Sequence, residues 1–357
     1  MINEEYTPKS FEIFLESSIK INQEISISDT LKALGSVISL ANLKGNLLPF
    51  GSFCNGFHGN NSDLDCVLIT DSELSTTTIL RNLRKAVQEY KYTYQTPQLQ
   101  FDQLILYAKV NSITYSKVPI IKITDITNDI AIDLSINNIN GVLNSKLLKE
   151  YSQIHPKIQQ LGQLLKLWGK NQRLIVTGQL TSYAILLTLI HFLQCKYDVP
   201  YLSDFELTQE QQSALEYFGV QPFFKQGLKP NLHRLSNTTL QQLLFEYFQY
   251  YEPYGEFEQK QICVSLHSIQ RSNKEIQKRT LKIVDPIDPR IDPSKNIKKQ
   301  CYRIQQHFLR AKELISKDQK SFLYQCQAVK TGNNRVKRIQ PKGETKYKKK
   351  NNFRKRN

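Results

Sequence analysis

Asp63 and Asp65 stand one residue apart in Ser62-Asp63-Leu64-Asp65-Cys66-Val67-Leu68-Ile69-Thr70, and Asp65–Thr70 has strand composition. Alternation along a strand points both carboxylates to one face, with Leu64 and Cys66 on the other. Carboxylates held side by side repel each other, and a divalent cation relieves the repulsion. Mg²⁺ takes hard oxygen ligands and keeps room for substrate phosphates, so this spacing points to metal-assisted phosphate chemistry. Just ahead, Gly51-Ser52 is a small-residue turn where backbone N–H groups and a hydroxyl can approach a triphosphate. A third carboxylate is then expected from a neighbouring strand. In Ile130-Ala131-Ile132-Asp133-Leu134-Ser135-Ile136 the alternation places Asp133 with Ala131 and Ser135, opposite the large apolar residues. Asp129 has the same parity as Asp133 and competes for the role from the strand's mouth. An isolated Asp-x-Asp is more often a solvated turn, so the chemistry depends on all three aspartates.

Positioning these side chains takes a small sheet and the helices that cover it. Apolar spacing predicts helices over 8–20 and 28–43, the second capped by Ser28 or Asp29. A short apolar run, Leu47–Phe50, precedes the Gly-Ser turn, and Thr77–Glu89 reads as a helix. Strands are expected around Phe101–Val110, over Val118–Ile123 and over Ile130–Ile136. From Lys146 the pattern becomes mainly helical, with helices at Leu147–Tyr151, Pro156–Lys170, Leu180–Gln194, Leu240–Tyr251 and Tyr302–Ile315. One short strand is expected at Ile262–Leu266, and the aromatic run Phe245–Tyr251 reads as core rather than a base platform. His155 and His191 read as structural, since nothing nearby completes a metal or nucleophile site. The fold class is α+β: a mixed α/β N-terminal domain with a small β-sheet, then a mainly helical C-terminal domain.

The 357 residues carry a net charge of +16, with 40% hydrophobic and 10% aromatic residues, which is globular composition. Between Arg335 and Asn357 eleven Lys and Arg face one acid, Glu344, a net of +10 that leaves +6 for the remaining chain. A basic balance favours phosphate-bearing partners or an anionic membrane surface. The six cysteines are far apart with no CxxC pair, so no zinc or redox motif is visible. The first residues, MINEEYTPKS, are too polar for a secretory signal. The longest apolar run, Ala184–Leu193, is interrupted by His191 and is about half the ~20 residues of a membrane span. The expectation is a soluble intracellular protein of cytoplasm or nucleus, with no membrane partner.

Pro49-Phe50-Gly51-Ser52, Gly56 and Ser62-Asp63-Leu64-Asp65 together resemble the signature of the DNA polymerase β-like nucleotidyltransferases, narrowly the terminal uridylyltransferases and related poly(A) RNA polymerases. Val118-Pro119-Ile120-Ile121-Lys122 resembles that family's strand before the third carboxylate. Asp133-Leu134-Ser135-Ile136-Asn137-Asn138 is similar to the third-carboxylate motif, which favours Asp133 over Asp129. Gly141–Ser145, Leu165–Lys170 and Gly178–Tyr183 follow in the family's order, and Leu243–Tyr251 resembles the poly(A)-polymerase-associated segment. The resemblance covers about residues 30–315. It implies a bilobed molecule: a helical segment at 1–29, the catalytic domain at 30–145, a helical poly(A)-polymerase-associated domain at 146–327 and a disordered basic tail at 328–357.

The same resemblance implies an enzyme that adds UMP or AMP from UTP or ATP to RNA 3′ ends without a template. Two Mg²⁺ or Mn²⁺ ions serve it, with Asp63 and Asp65 on both and Asp133 on the one that activates the 3′ hydroxyl. By resemblance Gly51 and Ser52 meet the triphosphate, and Asn144 meets the ribose. Lys166 and Lys170, four apart on one helix face, take the β- and γ-phosphates, while Ser182 reaches the γ-phosphate and Tyr183 stacks on the base. Uridylyl-adding relatives often place a histidine after an Asp-Pro-Phe-Glu-like motif. Here Asp285-Pro286-Ile287-Asp288 is followed at longer spacing by Lys295-Asn296, so Asp288 and Lys295 are the base-selection candidates. The missing histidine weakens UTP without establishing ATP. The partners implied are an RNA 3′ end and a subunit of an RNA-processing or silencing complex, with no DNA expected. The tail is an RNA tether, a partner anchor, a nuclear address or a solubilising segment. Rival readings are a 2′–5′ oligoadenylate-type synthetase and a non-catalytic or partner-dependent RNA-binding subunit.

Overall fold

A computed structural model of the chain describes residues 10–18, 23–59, 62–93, 108–114, 118–126, 129–176, 180–201, 231–252, 263–264, 282–288, 290–295 and 301–327. Helices α1 (Ser10–Ser18) and α2 (Gln23–Leu40) lead into strand β1 (Asn46–Phe50) and a single 3-10 turn, Gly51–Phe53. Strand β2 (Leu64–Ile69), helix α3 (Thr76–Thr93) and strands β3 (Ala108–Thr114), β4 (Ile120–Asp125) and β5 (Ile130–Ile136) follow. The rest is mainly helical: α4 (Ile139–Ile154), α5 (Pro156–Asn171), α6 (Ser182–Tyr197), α7 (His233–Asn237), α8 (Leu240–Tyr251), α9 (Cys301–Lys317) and α10 (Gln319–Cys326). Between α8 and α9, β6 (Cys263–Val264) pairs in parallel with β7 (Lys282–Ile283).

The five-stranded sheet runs β1-β2-β5-β4-β3, with β2 parallel to β5 and every other pairing antiparallel. Period-2 alternation sorts its two faces. Leu64, Cys66 and Leu68 of β2, with Ile121, Ile123, Ile132 and Leu134, are buried in a core shared with Leu34, Val37 and Ile38 of α2 and Ile79, Leu80 and Leu83 of α3. The intervening positions, Asp65, Lys122 and Asp133, are only half-buried. Because a slip of one residue would exchange the two faces, the apolar alternation fixes which side carries the carboxylates.

A second core gathers the remaining helices around Trp168, whose indole packs edge-on against Phe248 and Phe308 at ring-centroid distances of 4.8 and 5.5 Å. Tyr247, Phe248 and Tyr251 are buried there, so the aromatic run of α8 is core. Helix α1 joins this second core through Phe11, Phe14 and Leu15, whereas α2 covers the sheet. Helix α4 links the two cores, packing on β1 at its start and placing Leu147 and Tyr151 in the helical core.

Several boundaries differ from expectation. Helix α2 begins at Gln23, so Ser28 and Asp29 lie within it and cap nothing. Thr30 instead turns inward and donates to the Asp125 carboxylate at 2.7 Å, while Asp29 meets Lys32 one turn on. Helix α4 spans Ile139–Ile154 instead of the expected Leu147–Tyr151, and at Gly141 near its start a side chain would meet the Phe50 ring at 2.7 Å. Strand β3 runs past its expected end at Val110 to Thr114, and the first part of its predicted span, 101–107, is outside the described residues, as are Asn296 and the tail. Among the described residues no helix is long and apolar enough to cross a membrane.

Candidate active site

Parallel pairing of β2 with β5 sets Asp65 opposite Asp133, and antiparallel pairing of β4 with β5 sets Lys122 opposite Asp133. Phe50, the residue before the 3-10 turn, pairs with Asp65 from the other side. Asp63 lies just before β2 begins, its side chain partly covered and partly open to solvent. Asp129, the rival third carboxylate, lies exposed in a left-handed turn at φ 54°, outside the sheet. Lys122 Nζ donates to both Asp133 oxygens, at 2.8 and 2.7 Å.

Burial pushes the Asp65 carboxyl up to about 7, and the neighbouring charges of Asp133 and then Asp63 push the same way against Lys166 and Lys122. Burial, then Asp133, also raises Asp63, with Lys170 and Lys122 opposing. Asp65 therefore feels the charge of both other carboxylates and Asp63 that of Asp133, which is the repulsion a divalent cation relieves. The donor set fits such an ion in type: hard oxygens on adjacent strands beside a cradle at Gly51. There φ is 74°, and a Cβ would stand 2.0 Å from Asp65 Oδ2. Among the described residues, however, no three His, Cys, Asp or Glu side chains close on one point. Asp133 gives both its oxygens to Lys122 instead.

The turn after β1 is anchored from two sides. Gly51 N–H donates to Ser145 Oγ of α4 at 2.7 Å, so Gly51 contributes room rather than a free donor, while Ser52 stays half-buried within the turn. Further along, three side chains of α5 hold successive carbonyls: Gln159 to Gly56, Lys166 to Phe57 and Gln163 to His58. The Phe57 ring packs closely against Gly162, where a Cβ would be 2.3 Å from it. The loop carrying the catalytic candidates is thus fastened to the helical core.

Lys166 and Lys170 share a helix face but differ in setting: Lys166 is buried and Lys170 exposed. Burial first, then Lys170, lowers the Lys166 ammonium to about 7, against the pull of Asp65. Ser182 and Tyr183 open α6, whose Thr181 cap accepts from Ala184 N–H. A helix start of this kind suits phosphate oxygens. Tyr183 Oη donates to Asn144 Oδ1 at 3.0 Å, tying the proposed base and ribose contacts together, and the Asp285 carboxylate competes for the same hydroxyl proton.

Of the two base-selection candidates, Asp288 holds Arg290 through both oxygens at 2.7 and 2.9 Å and donates its own N–H to Asp285. Lys295 is exposed, and its N–H bonds Asp292 O. Sequence reasoning assigned no role to Lys122 or Asp285. A lone lysine within Ile120-Ile121-Lys122-Ile123 was the available signal for the first. The buried Asp285 is the first of three Asp-Pro pairs in Asp285–Pro293, and nothing in the sequence sets it apart from the others.

Residues 9–153 match the family described as poly(A) RNA polymerase, mitochondrial-like, central palm domain. Poly(A) RNA polymerase cid11 of Schizosaccharomyces pombe is 26% identical over 258 residues, covering 70% of this chain and 49% of the relative. Terminal uridylyltransferase 4 of Mus musculus is 28% identical over 261 residues, 69% of this chain and 15% of the relative. The chain therefore spans about half the length of the first relative and a small part of the second. Among solved structures, the Cid1 poly(U) polymerase bound to Mg and 3′-dATP aligns with a TM-score of 0.62 at 20% identity, covering 90% of this chain and 98% of that one. The homologues of this chain are poly(A) RNA polymerases and terminal uridylyltransferases, in agreement with the resemblance in its motifs.

The raised Asp65 carboxyl gives a pH prediction. A cation binds the ionised form, so its affinity falls as pH drops through about 7. For the metal-free protein the sign is opposite. A carboxyl raised on folding binds its proton more tightly in the folded state, so its stabilising share is lost as pH rises from the unfolded value toward 7. Calorimetric Mg²⁺ titrations should weaken from about pH 8 to about pH 6. Metal-free melting of Asp65→Asn should gain on wild type as pH rises from 3.8 to about 7; parallel melting curves would refute the assignment.

Proposed function

We propose that this chain transfers nucleoside monophosphates from NTP to the 3′ end of RNA. The observation that carries the reading is the β2–β5 register, which puts Asp65 and Asp133 side by side next to Asp63. The homologues' names supply the substrate class. The RNA 3′ oxygen attacks the α-phosphorus, the bond to the β-phosphate oxygen breaks, and pyrophosphate leaves. The hydroxyl proton passes to Asp133 or to water. Asp63, Asp65 and Asp133 would hold two Mg²⁺ or Mn²⁺ ions, which lower the charge on the transferring phosphate and its leaving group when bound. Lys166, Lys170, Ser52 and Ser182 position the triphosphate, Asn144 the ribose and Tyr183 the base. No nucleophilic side chain is required, because positioning and charge neutralisation supply the catalysis.

The proposed architecture is bilobed, with the catalytic domain at 30–145 and the helical domain at 146–327 flanking the site. Asp288 and Lys295 stay the proposed base-selection pair, and UTP and ATP both remain substrates to test. A partner subunit is proposed to supply RNA specificity.

The decisive experiment offers each of the four NTPs separately, with Mg²⁺ or Mn²⁺ and a short RNA primer, and sizes the products. Extension with UTP or ATP that resists a 2′–5′-specific nuclease is the expected result. Absence of incorporation with any NTP, with and without candidate partner subunits, would sink the reading.

A further inference from the structure

We infer that Lys122 is a resident counter-ion that competes with the divalent cation for Asp133. This rests on the metal-site reading above and deepens it. Lys122 is a positioning residue here, acting through the aspartate and not on substrate. Three observations converge on it. Its strand position is opposite Asp133, so no side-chain search is needed to make the contact. Its ammonium reaches both carboxylate oxygens at 2.8 and 2.7 Å, leaving neither without a cationic partner. Its charge also lowers Asp65 and Asp63, so it offsets repulsion across the whole trio.

A lysine ammonium is a compact charge on a flexible four-carbon stem, so it can withdraw when a stronger cation arrives. This one is half-buried and has solvent to withdraw into. The consequence is a trade. Lys122 steadies three crowded carboxylates, and a metal ion must displace it from Asp133 before the trio can share that ion. Cation binding would therefore be weaker than the three carboxylates alone allow, coupling closure of the metal site to arrival of the NTP-bound ion. A lysine that merely supported the fold would behave differently: its loss would weaken the metal site or leave it unchanged.

The test uses the full chain and Mn²⁺ alone, followed by electron paramagnetic resonance and by thermal melting. Lys122→Met should bind Mn²⁺ roughly tenfold more tightly than wild type, the scale of one charge-assisted contact no longer displaced. Its metal-free melting temperature should fall, and its gain on adding Mn²⁺ should exceed that of wild type. Lys122→Arg, which keeps the charge, should stay within about threefold of wild type. Equal or weaker Mn²⁺ affinity in a folded Lys122→Met protein would overturn the inference. Lys122→Gln carries the same readouts if the methionine variant does not fold. Mn²⁺ binding that is identical in wild type and Asp63→Asn would overturn the metal-site reading itself, a result separable from failure of the Lys122 inference alone.

Discussion

Asp65→Asn and Asp133→Ala are each expected to lower nucleotide incorporation by at least ~10³-fold, the scale of losing charge stabilisation at a transferring phosphate. Both changes act on side chains paired directly across β2 and β5. Asp129 is ruled out as a replacement by its exposed turn. The two variants should differ in stability. Asp65→Asn removes a half-buried carboxyl crowded by Asp133 and Asp63, so the metal-free protein melts at the same temperature or higher. Asp133→Ala strands Lys122 without its partner, but Lys122 is half-buried and can hydrate, so the cost is small. Primer extension and thermal melting read both effects. Activity above one tenth of wild type in either variant would remove the aspartates from the chemistry.

Gly51→Ala is the second large effect. The residue holds φ 74°, which an alanine adopts at about 1–2 kcal/mol. The added Cβ would also stand 2.0 Å from Asp65 Oδ2 and 2.9 Å from Asp65 Cβ, so the carboxylate or the turn must move. A displacement of this size at a reacting centre corresponds to about 10²-fold in rate. Gly56→Ala separates the two causes. Its φ of 81° imposes the same backbone cost, but its Cβ would meet Ser152 Oγ at 2.6 Å, away from the aspartates. Melting should drop in both variants, whereas extension and Mn²⁺ affinity should drop far more in Gly51→Ala. Equal losses in the two would mean that strain, and not the carboxylate, sets the effect.

Much of the sheet was legible because its strands alternate. Ile130–Ile136 matches β5 end for end, and the parity of Asp63, Asp65 and Asp133 followed from the same period. Helix ends were less legible. Gln23–Ser28 carries no strong start signal, and α2 extends through it because Thr30 and the residues after it are held on the sheet. The helix expected only over Leu147–Tyr151 is the middle of α4, which starts eight residues earlier at Ile139, where Gly141 lets the Phe50 ring approach closely. The site was legible in its aspartates and lysines by type and order. The bond between Lys122 and Asp133 and the link from Tyr183 to Asp285 join residues 11 and 102 positions apart in sequence. No local pattern encodes either one.

By itself the sequence determined which side chains can do phosphate chemistry, and which face of each strand they take, because side-chain direction follows a fixed backbone period. Tertiary structure alone decided what those side chains meet. Strand order set Lys122 beside Asp133, α5 fastened the loop at Gly56–His58, and the Gly51 turn closed on Asp65. Such contacts depend on sheet order and helix docking, which are set by burial summed over the whole chain and not by any one segment.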